Sequence, residues 1–269
     1  MKAPAKQPSV CRKQPFIGGK RLSLEIGGKP RDVRSGTSAA TFREFDLNRS
    51  LKSLACALAA LVLAGPALAT PVQAPAKDAS TDEARRYFTE DPDAPAIAPT
   101  GYDVTIVEYL DYQCPACRAT YQPLKQLLAR DKKVRVIFRD WPIFGDASAH
   151  AALIAIASKY QGKYLAVHDA LLETPRPLTN EKIEAAARKA GVDWPRLQKD
   201  LAAHSEDIED LLARNDQQAQ LLGLDGTPGF IVGSTQSFGG MTLEQLEASV
   251  KEARGEVEAA TSKEDPRGH

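Results

Sequence analysis

Cysteine is scarce in this sequence, which has only four in 269 residues: Cys11, Cys56, Cys114 and Cys117. The last two are separated by two residues, and no second pair with that spacing is present to complete a four-ligand zinc site. The histidines before the C-terminal residue share no short metal-binding spacing: His150, His168 and His204. We therefore expect no bound metal ion, and no motif predicts another cofactor.

The sequence also lacks the motifs of nucleotide-binding proteins and of one class of hydrolases, and its charge disfavours nucleic-acid binding. The sequence has no glycine-rich phosphate loop and no G-x-S-x-G motif of a hydrolase. Basic and acidic residues balance at 35 each, but 12 basic and 4 acidic ones lie in residues 1–69. The remainder therefore has 23 basic and 31 acidic residues, a net charge of −8. An acidic protein of this kind is not expected to bind nucleic acid.

The first 69 residues have the character of a leader. Residues 1–48 show no periodicity and are rich in Lys, Arg, Gly and Ser, which predicts a disordered leader or sequence upstream of the true translation start. Residues 49–69 combine a basic start, an apolar run over 54–65 and a small-residue site over 67–69, the three parts of a secretory signal peptide. The run is shorter than the ~20 residues of a membrane-spanning helix. We expect cleavage after about Ala69 and a protein that works in the periplasm, an oxidising compartment.

Beyond residue 70 the pattern predicts one α/β domain between two flexible ends. Residues 70–98 predict a linker and N-terminal extension, and residues 256–269 predict a flexible tail. Between them, a strand over 103–110, a helix over 119–130 and a strand over 133–139 form a βαβ unit. Five helices follow over about 142–222, and then a hairpin over 229–239 and a helix over 242–254. This order predicts a thioredoxin-like fold with an inserted helical subdomain, spanning residues 99–255.

The Cys114–Cys117 pair lies where the first strand ends and the next helix begins. Cys114 fits the N-cap position, and Pro115 fits the first helical position and fixes one backbone angle of the turn. The free N–H groups and the dipole of a helix start stabilise an anion, and a thiolate is the anion available. Local chemistry thus predicts a redox-active dithiol. A Cu(I) site is the alternative from a different class of protein, because two thiolates suit that soft ion.

Four features resemble the DsbA family of exported thiol–disulfide oxidoreductases, across roughly residues 100–255. Three are sequence blocks: V-E-Y-L-D-Y-Q-C-P-A-C-R at 107–118, F-R-D-W-P-I-F-G at 138–145 and G-T-P-G-F-I-V-G at 226–233. The fourth is the order of the elements. The chain is most similar to the subgroup with a DYxCPxC signature, and not to the form with Pro-His between the cysteines.

The resemblance implies a role for each matching residue. Cys114 would be the nucleophile that forms a mixed disulfide with the substrate, and Cys117 the thiol that resolves it. Thr227 and Pro228, joined by a cis peptide bond, would face the dithiol and offer a backbone edge to an extended substrate. Glu108 would be a buried acid that exchanges a proton with Cys117 or destabilises the disulfide by its nearby buried charge. Strand alternation by itself also allows Glu108 to face solvent.

These observations predict an exported enzyme that exchanges its disulfide with the cysteines of exported substrate proteins, with oxidation of the substrate as the favoured direction. A membrane partner would reset the dithiol, either a quinone-linked oxidase or an electron-donating reductase. A periplasmic disulfide reductase or isomerase is the alternative, since the dithiol sequence does not decide the direction. Because Ala116 stands where the Pro-His form has histidine, we expect a lowered pKa for Cys114 but a less oxidising potential than in that form.

Overall fold

The computed structural model describes residues 11–12 and 79–264 of the protein. The rest of the predicted leader over 1–48, the predicted signal peptide over 49–69 and its cleavage site after Ala69 lie outside the described residues. Of the described helices, none is both long and apolar enough to cross a membrane.

The described chain alternates short strands with helices. Its strands are β1 (Cys11–Arg12), β2 (Ala96–Ile97), β3 (Val104–Leu110), β4 (Val134–Asp140), β5 (Gly226–Thr227), β6 (Gly229–Val232) and β7 (Thr235–Phe238). Its α-helices are α1 (Ala79–Thr89), α2 (Pro115–Arg130), α3 (Asp146–Ala157), α4 (Tyr164–Glu173), α5 (Asn180–Lys189), α6 (Trp194–Ala203), α7 (Ser205–Leu221) and α8 (Leu243–Glu264). A short 3₁₀ helix, Ser158–Gln161, continues α3.

Five of the strands form one mixed sheet in the order β2-β4-β3-β6-β7, and β1 pairs separately with β5. Strands β3 and β4 run parallel and are connected by α2, as the predicted βαβ unit requires. The other pairs in the sheet are antiparallel. All residues of β3 except Thr105 are buried. A strand with this pattern is covered on both faces, so its apolar residues run nearly without interruption.

Each face of the sheet has its own apolar core. On one face, Ile106 and Leu110 of β3 lie in a core with residues of α2 and α8. On the other face, Val107 and Tyr109 pack with residues of α7 and of the loop that follows it. Successive residues of a strand point to opposite faces. This alternation places Glu108 on the same face as the start of α2.

The helical insertion predicted over about 142–222 consists of α3 to α7, between β4 and β5. Thr179 and Asp193 cap α5 and α6, and each side chain accepts a hydrogen bond from a backbone N–H in the first turn. The last helix, α8, is longer than expected and continues to Glu264. Residues 256–264 are therefore helical where a flexible tail was predicted. This stretch contains neither glycine nor proline, the residues that most often end a helix.

The N-terminal extension is anchored to the sheet. Arg139 of β4 has a fully buried side chain that donates to Asp91 Oδ2 at 2.6 Å and to the Phe88 carbonyl oxygen at 2.9 Å. Asp91 Oδ2 also lies 3.4 Å from Arg214 Nε of α7. In addition, β2 extends the sheet by pairing with β4. The part of the predicted linker and extension that the structure describes is thus held against the domain by buried polar contacts.

Candidate active site

The two cysteines lie at the start of α2, a few residues after the end of β3. Cys114 is the N-cap residue, with an extended backbone (φ −73°, ψ 123°), and Pro115 is the first residue of the helix. The backbone N–H of Cys117 donates to Cys114 Sγ at 3.4 Å. A sulfur atom therefore takes the place of the oxygen that usually caps a helix.

The loop that precedes β6 faces this dithiol. The Thr227–Pro228 peptide bond is cis, and Cys114 Sγ lies 3.1 Å from the carbonyl oxygen of Thr227. The loop after β7 is hydrogen-bonded to the cis-proline loop, through Gly239 N–H and the Pro228 carbonyl oxygen at 2.9 Å. It also packs on α2, since a Cβ added at Gly240 would lie 3.2 Å from Thr120 Oγ1 and 3.4 Å from the carbonyl oxygen of Ala116.

The two thiols differ in acidity. A hydrogen bond with the Cys117 side chain is the largest effect on Cys114. Together with the Thr227 side chain and the N–H groups of Cys117 and Ala116, it lowers the pKa of Cys114 to about 6, against the opposing effect of burial. Burial, and then the hydrogen bond and charge of Cys114, raise the pKa of Cys117 well above its ordinary value. At neutral pH Cys114 is therefore the thiolate and Cys117 the thiol, which suits the predicted nucleophile and resolving residue.

We expect the reduced protein to titrate one thiol near pH 6. The ultraviolet absorbance of the thiolate should rise through that pH, and a Cys114→Ala protein should lack the step. The folded pKa lies below the ordinary value of 9.0, so ionised Cys114 stabilises the reduced fold fully above that value, and this contribution is lost as the pH falls through about 6. A step that persists in Cys114→Ala would contradict the assignment.

Glu108 lies on the sheet behind the dithiol and is buried, with 4% of its surface exposed. Burial, followed by the charges of Cys114 and Asp140, raises its pKa to about 8. The charge of Glu108 in turn contributes to the raised pKa of Cys117. Of the two orientations that strand alternation allowed, the structure has the buried one. A proton exchange between Glu108 and Cys117 stays a prediction.

With this geometry in place, comparison with known proteins assigns the family. A sequence model described as thioredoxin matches residues 99–252. The chain belongs to the thioredoxin family. A solved thioredoxin-like oxidoreductase from Silicibacter pomeroyi DSS-3 is 36% identical to this chain and superposes with a TM-score of 0.61. The match covers 64% of this chain and 98% of the oxidoreductase. A periplasmic thioredoxin-like protein from Salmonella enterica serovar Typhimurium is 28% identical, covers 65% and 97% of the two chains, and has a TM-score of 0.57.

This thioredoxin-family chain matches only part of each of two curated relatives. A probable disulfide bond formation protein D of Bacillus cereus is 30% identical over 142 residues, 48% of this chain and 65% of the relative. The Na⁺/H⁺ antiporter NhaA 1 of Salinispora arenicola is 29% identical over 167 residues, 61% of this chain but 25% of the antiporter. The chain therefore spans only part of the length of these relatives. The predicted thioredoxin-like fold and the resemblance to DsbA-type thiol–disulfide oxidoreductases are confirmed.

Asp111 joins two of the sequence blocks that resemble the DsbA family, those at 107–118 and 138–145. Its carboxylate accepts hydrogen bonds from the Gln113 N–H and the Ser148 hydroxyl, each at 2.7 Å. It also accepts from the N–H groups of Ile143 and Phe144, at 2.7 and 3.1 Å. One buried side chain thus fixes the block 107–118 to the block 138–145. The sequence indicates the local turn to Gln113, but the other partners are distant along the chain.

Arg118 is a site residue that the sequence analysis missed. Its guanidinium donates to four backbone carbonyl oxygens at 2.6 to 2.9 Å: those of Tyr112, Leu171, Leu172 and Thr174. The last three lie at the end of α4, where a helix leaves carbonyl groups without partners. Arg118 therefore ties the start of α2 to the helical insertion. Its only sequence signal is a basic residue directly after the second cysteine.

The short strand β1 lies along the cis-proline loop. Cys11 pairs with Thr227 and Arg12 with Gly226, in antiparallel register. Cys114 is fully buried in this arrangement. The pairing shows that the backbone edge of β5 accepts an added extended segment at the position that faces the dithiol.

Proposed function

We propose that this protein is an exported thiol–disulfide oxidoreductase that passes the Cys114–Cys117 disulfide to the cysteines of other exported proteins. The observation that carries the proposal is the position of Cys114 at the N-cap of α2, where its Sγ accepts the Cys117 N–H and lies against the cis Thr227–Pro228 loop. Hydrogen bonds with the Cys117 side chain and at the helix start lower the pKa of Cys114, and burial raises that of Cys117. A stabilised thiolate at Cys114 favours the reduced state of the pair, so the disulfide readily gives up its bond. This supports oxidation of the substrate as the direction of exchange.

The exchange takes two steps. A substrate thiolate attacks Cys114 Sγ and forms a mixed disulfide, while the Cys114–Cys117 bond breaks and its electron pair leaves on Cys117, which takes up a proton. A second substrate thiolate then attacks the substrate sulfur of the mixed disulfide and releases Cys114 as its stable thiolate. The substrate loses two electrons and the dithiol gains them, so no other reactant is consumed.

The edge of β5 is the proposed docking site for an extended segment of the substrate. β1 already pairs with this edge in the full chain. Main-chain pairing gives affinity without reading side chains, which suits an enzyme that acts on many proteins. Since Cys114 Sγ lies 3.1 Å from the Thr227 carbonyl oxygen, a substrate cysteine on this edge would lie close to the attacked sulfur.

Export and reoxidation complete the proposal. The signal-peptide pattern over 49–69 and the likeness to a periplasmic protein of Salmonella support a periplasmic location. The likeness to a probable disulfide bond formation protein of Bacillus cereus supports the oxidative direction. A quinone-linked membrane oxidase would then restore the Cys114–Cys117 disulfide. A reductase or isomerase that a membrane donor keeps reduced is the alternative within the same chemistry.

The test is transfer of a disulfide from the oxidised chain to a reduced, unfolded protein with two cysteines, together with the potential measured against glutathione. We expect transfer, and a potential between about −270 mV, as in thioredoxin, and about −120 mV, as in DsbA. Residues 70–269 should react several-fold faster than the full chain, because they lack β1. A potential below about −270 mV would assign the reductase direction.

The same samples separate this function from copper handling. Within the part of the chain that the structure describes, no group of three or more His, Cys, Asp and Glu side chains could hold a metal ion. Two thiolates alone suit Cu(I), so the dithiol is the site to titrate. Tight retention of one Cu(I) by the reduced protein, without any disulfide transfer by the oxidised protein, would replace the proposed function.

A further inference from the structure

A cluster of buried polar side chains lies behind the dithiol, between the sheet and α4. The cluster comprises five residues, each at most 5% exposed: Glu108, Tyr112, Asp140, Tyr164 and His168. The Tyr112 hydroxyl lies 3.1 Å from His168 Nδ1, and the Tyr164 hydroxyl donates to Asp140 Oδ2 at 2.8 Å. Buried groups that can change protonation are costly in an apolar core and are concentrated at functional sites.

The two-step exchange gives no role to Asp140, one of the two acids of this cluster. It is the last residue of β4 and pairs with Leu110, two residues after the pairing of Glu108 with Phe138. Paired residues and residues two apart share a face of the sheet, so both carboxyl groups point to the same side. Asp140 Oδ1 is fully buried and has no hydrogen-bond partner among the described residues.

The surroundings of the two acids are unequal. Tyr164 donates to the Asp140 carboxylate, and a hydrogen bond to the charged form favours ionisation. No described hydrogen bond supports an ionised Glu108. Burial raises the pKa of both carboxyl groups, that of Asp140 to about 7 and that of Glu108 to about 8. The hydrogen bond from Tyr164 opposes the rise at Asp140, and the charge of Asp140 adds to the rise at Glu108. Asp140 therefore ionises first, and the proton remains on Glu108.

We propose that Asp140 is a positioning residue for the exchange reaction: its carboxylate, held by Tyr164, keeps the shared proton on Glu108, where it is available to Cys117. This inference rests on the proposed disulfide exchange and adds the source of the proton in its first step. When the Cys114–Cys117 bond breaks, the Glu108 carboxyl gives its proton to the Cys117 thiolate and becomes a carboxylate. On reoxidation the Glu108 carboxylate takes that proton back, and Cys117 becomes a nucleophile again.

The ionisable groups that interact with Asp140 come from β3, the turn that follows it and α4: Glu108, Asp111, Tyr112 and Tyr164. None of them carries a positive charge, and Cys114 and Cys117 of the α2 start interact with Glu108. Burial lowers the pKa of His168 to about 4, so it is neutral. Arg139 is next in the chain, but its guanidinium pairs with Asp91 on the other face of the sheet. Among the described residues, no cation forms an ion pair with Asp140.

The experiment is a pH titration of the Glu108 carboxyl in the reduced full chain, followed by nuclear magnetic resonance of isotopically labelled glutamate. A Glu108→Gln protein identifies the resonance by its loss. In the parent protein we expect a midpoint near pH 8. In Asp140→Asn the midpoint should fall by about one pH unit or more, because the repelling charge is gone. Tyr164→Phe should lower it too, because Asp140 then competes for the proton.

Asp210→Asn is the matched control, since it removes the charge of an exposed aspartate on α7 and should leave the midpoint in place. A Glu108 midpoint that is unchanged in folded Asp140→Asn or folded Tyr164→Phe overturns the inference. If Asp140→Asn does not fold, Tyr164→Phe alone decides. The titration needs no disulfide transfer. A chain that transfers no disulfide, but whose Glu108 midpoint shifts in Asp140→Asn, would contradict the proposed function. The coupling of the two acids would still be established.

Discussion

A Cys117→Ala protein is expected to accumulate as covalent complexes with its substrates. The thiolate of Cys114 still attacks a substrate disulfide and forms a mixed disulfide. The thiol that would displace the substrate is missing, so the complex persists. Catalytic turnover should fall by at least about a thousandfold, the scale seen when a catalytic group of a covalent mechanism is removed. Non-reducing electrophoresis and intact mass measurement of the reduced variant, mixed with an oxidised substrate protein, would detect the complexes.

The structure also predicts a pH dependence for this trap. The backbone N–H of residue 117 remains in the variant and continues to donate to Cys114 Sγ. The hydrogen bond with the Cys117 thiol, the largest effect that lowers the pKa of Cys114, is lost. The Cys114 thiolate should therefore form at higher pH in Cys117→Ala than in the parent. The amount of trapped complex should increase as the pH rises through the range in which Cys114 of the variant ionises.

Cys114→Ala is the control for the trap. Of the active-site pair it keeps only Cys117, which is 1% exposed, and burial raises the pKa of that thiol well above the ordinary value. It should therefore form no complexes at neutral pH. Complexes with Cys114→Ala but none with Cys117→Ala would reverse the two roles and contradict the proposed mechanism.

The sequence predicts the parts of this protein that depend on short stretches of chain. The strand before Cys114 and the helix start at Pro115 each have a local signature, because caps are set by neighbouring residues. The cis bond at Thr227–Pro228 was implied by the family resemblance, and the structure has it. The apolar run of Val104, Ile106 and Val107 predicts β3, and the alternation of Val134, Val136 and Phe138 predicts β4. Helix ends are less certain, and the extension of α8 to Glu264 was missed.

The contacts that complete the site could not be derived from the sequence, because they join distant residues. Arg118 reaches the carbonyl oxygen of Leu172 from 54 residues away, and Tyr164 reaches Asp140 from 24. A single sequence states that an arginine or an aspartate is present, but not which buried group it meets. Glu108 shows the same limit, since strand alternation allows either face and only the packing of the helices decides.

Replacing Asp91 by asparagine is expected to lower the free energy of unfolding by about 3–5 kcal/mol, the usual cost of leaving one charge of a buried pair without its partner. The side chain of Arg139 is 0% exposed, and its guanidinium donates to Asp91 at 2.6 Å. Without that carboxylate, a buried positive charge keeps only neutral partners. Urea unfolding of the parent and of Asp91→Asn, monitored by circular dichroism, measures the difference.

Glu90→Gln is the matched control for this loss. It breaks the ion pair between Arg86 and Glu90, whose side chains are 70% and 62% exposed, respectively. The free energy of unfolding should therefore change by less than about 1 kcal/mol. The double substitution Asp91→Asn with Arg139→Met should be less destabilised than Asp91→Asn alone, because no buried charge is left without a partner. Equal losses in Asp91→Asn and Glu90→Gln would show that the extension is not anchored by this pair.

The same pair predicts how the fold responds to acid. Burial raises the pKa of Asp91, but the hydrogen bond and charge of Arg139 outweigh it, and the net effect is a pKa below the ordinary 3.8. A carboxyl group with a lowered pKa contributes its full stability above the ordinary value and loses it as the pH falls through the folded one. The difference in stability between the parent and Asp91→Asn should therefore be constant at neutral pH and shrink below about pH 3.8. A difference that persists unchanged in stronger acid would mean that the asparagine disturbs packing and not charge.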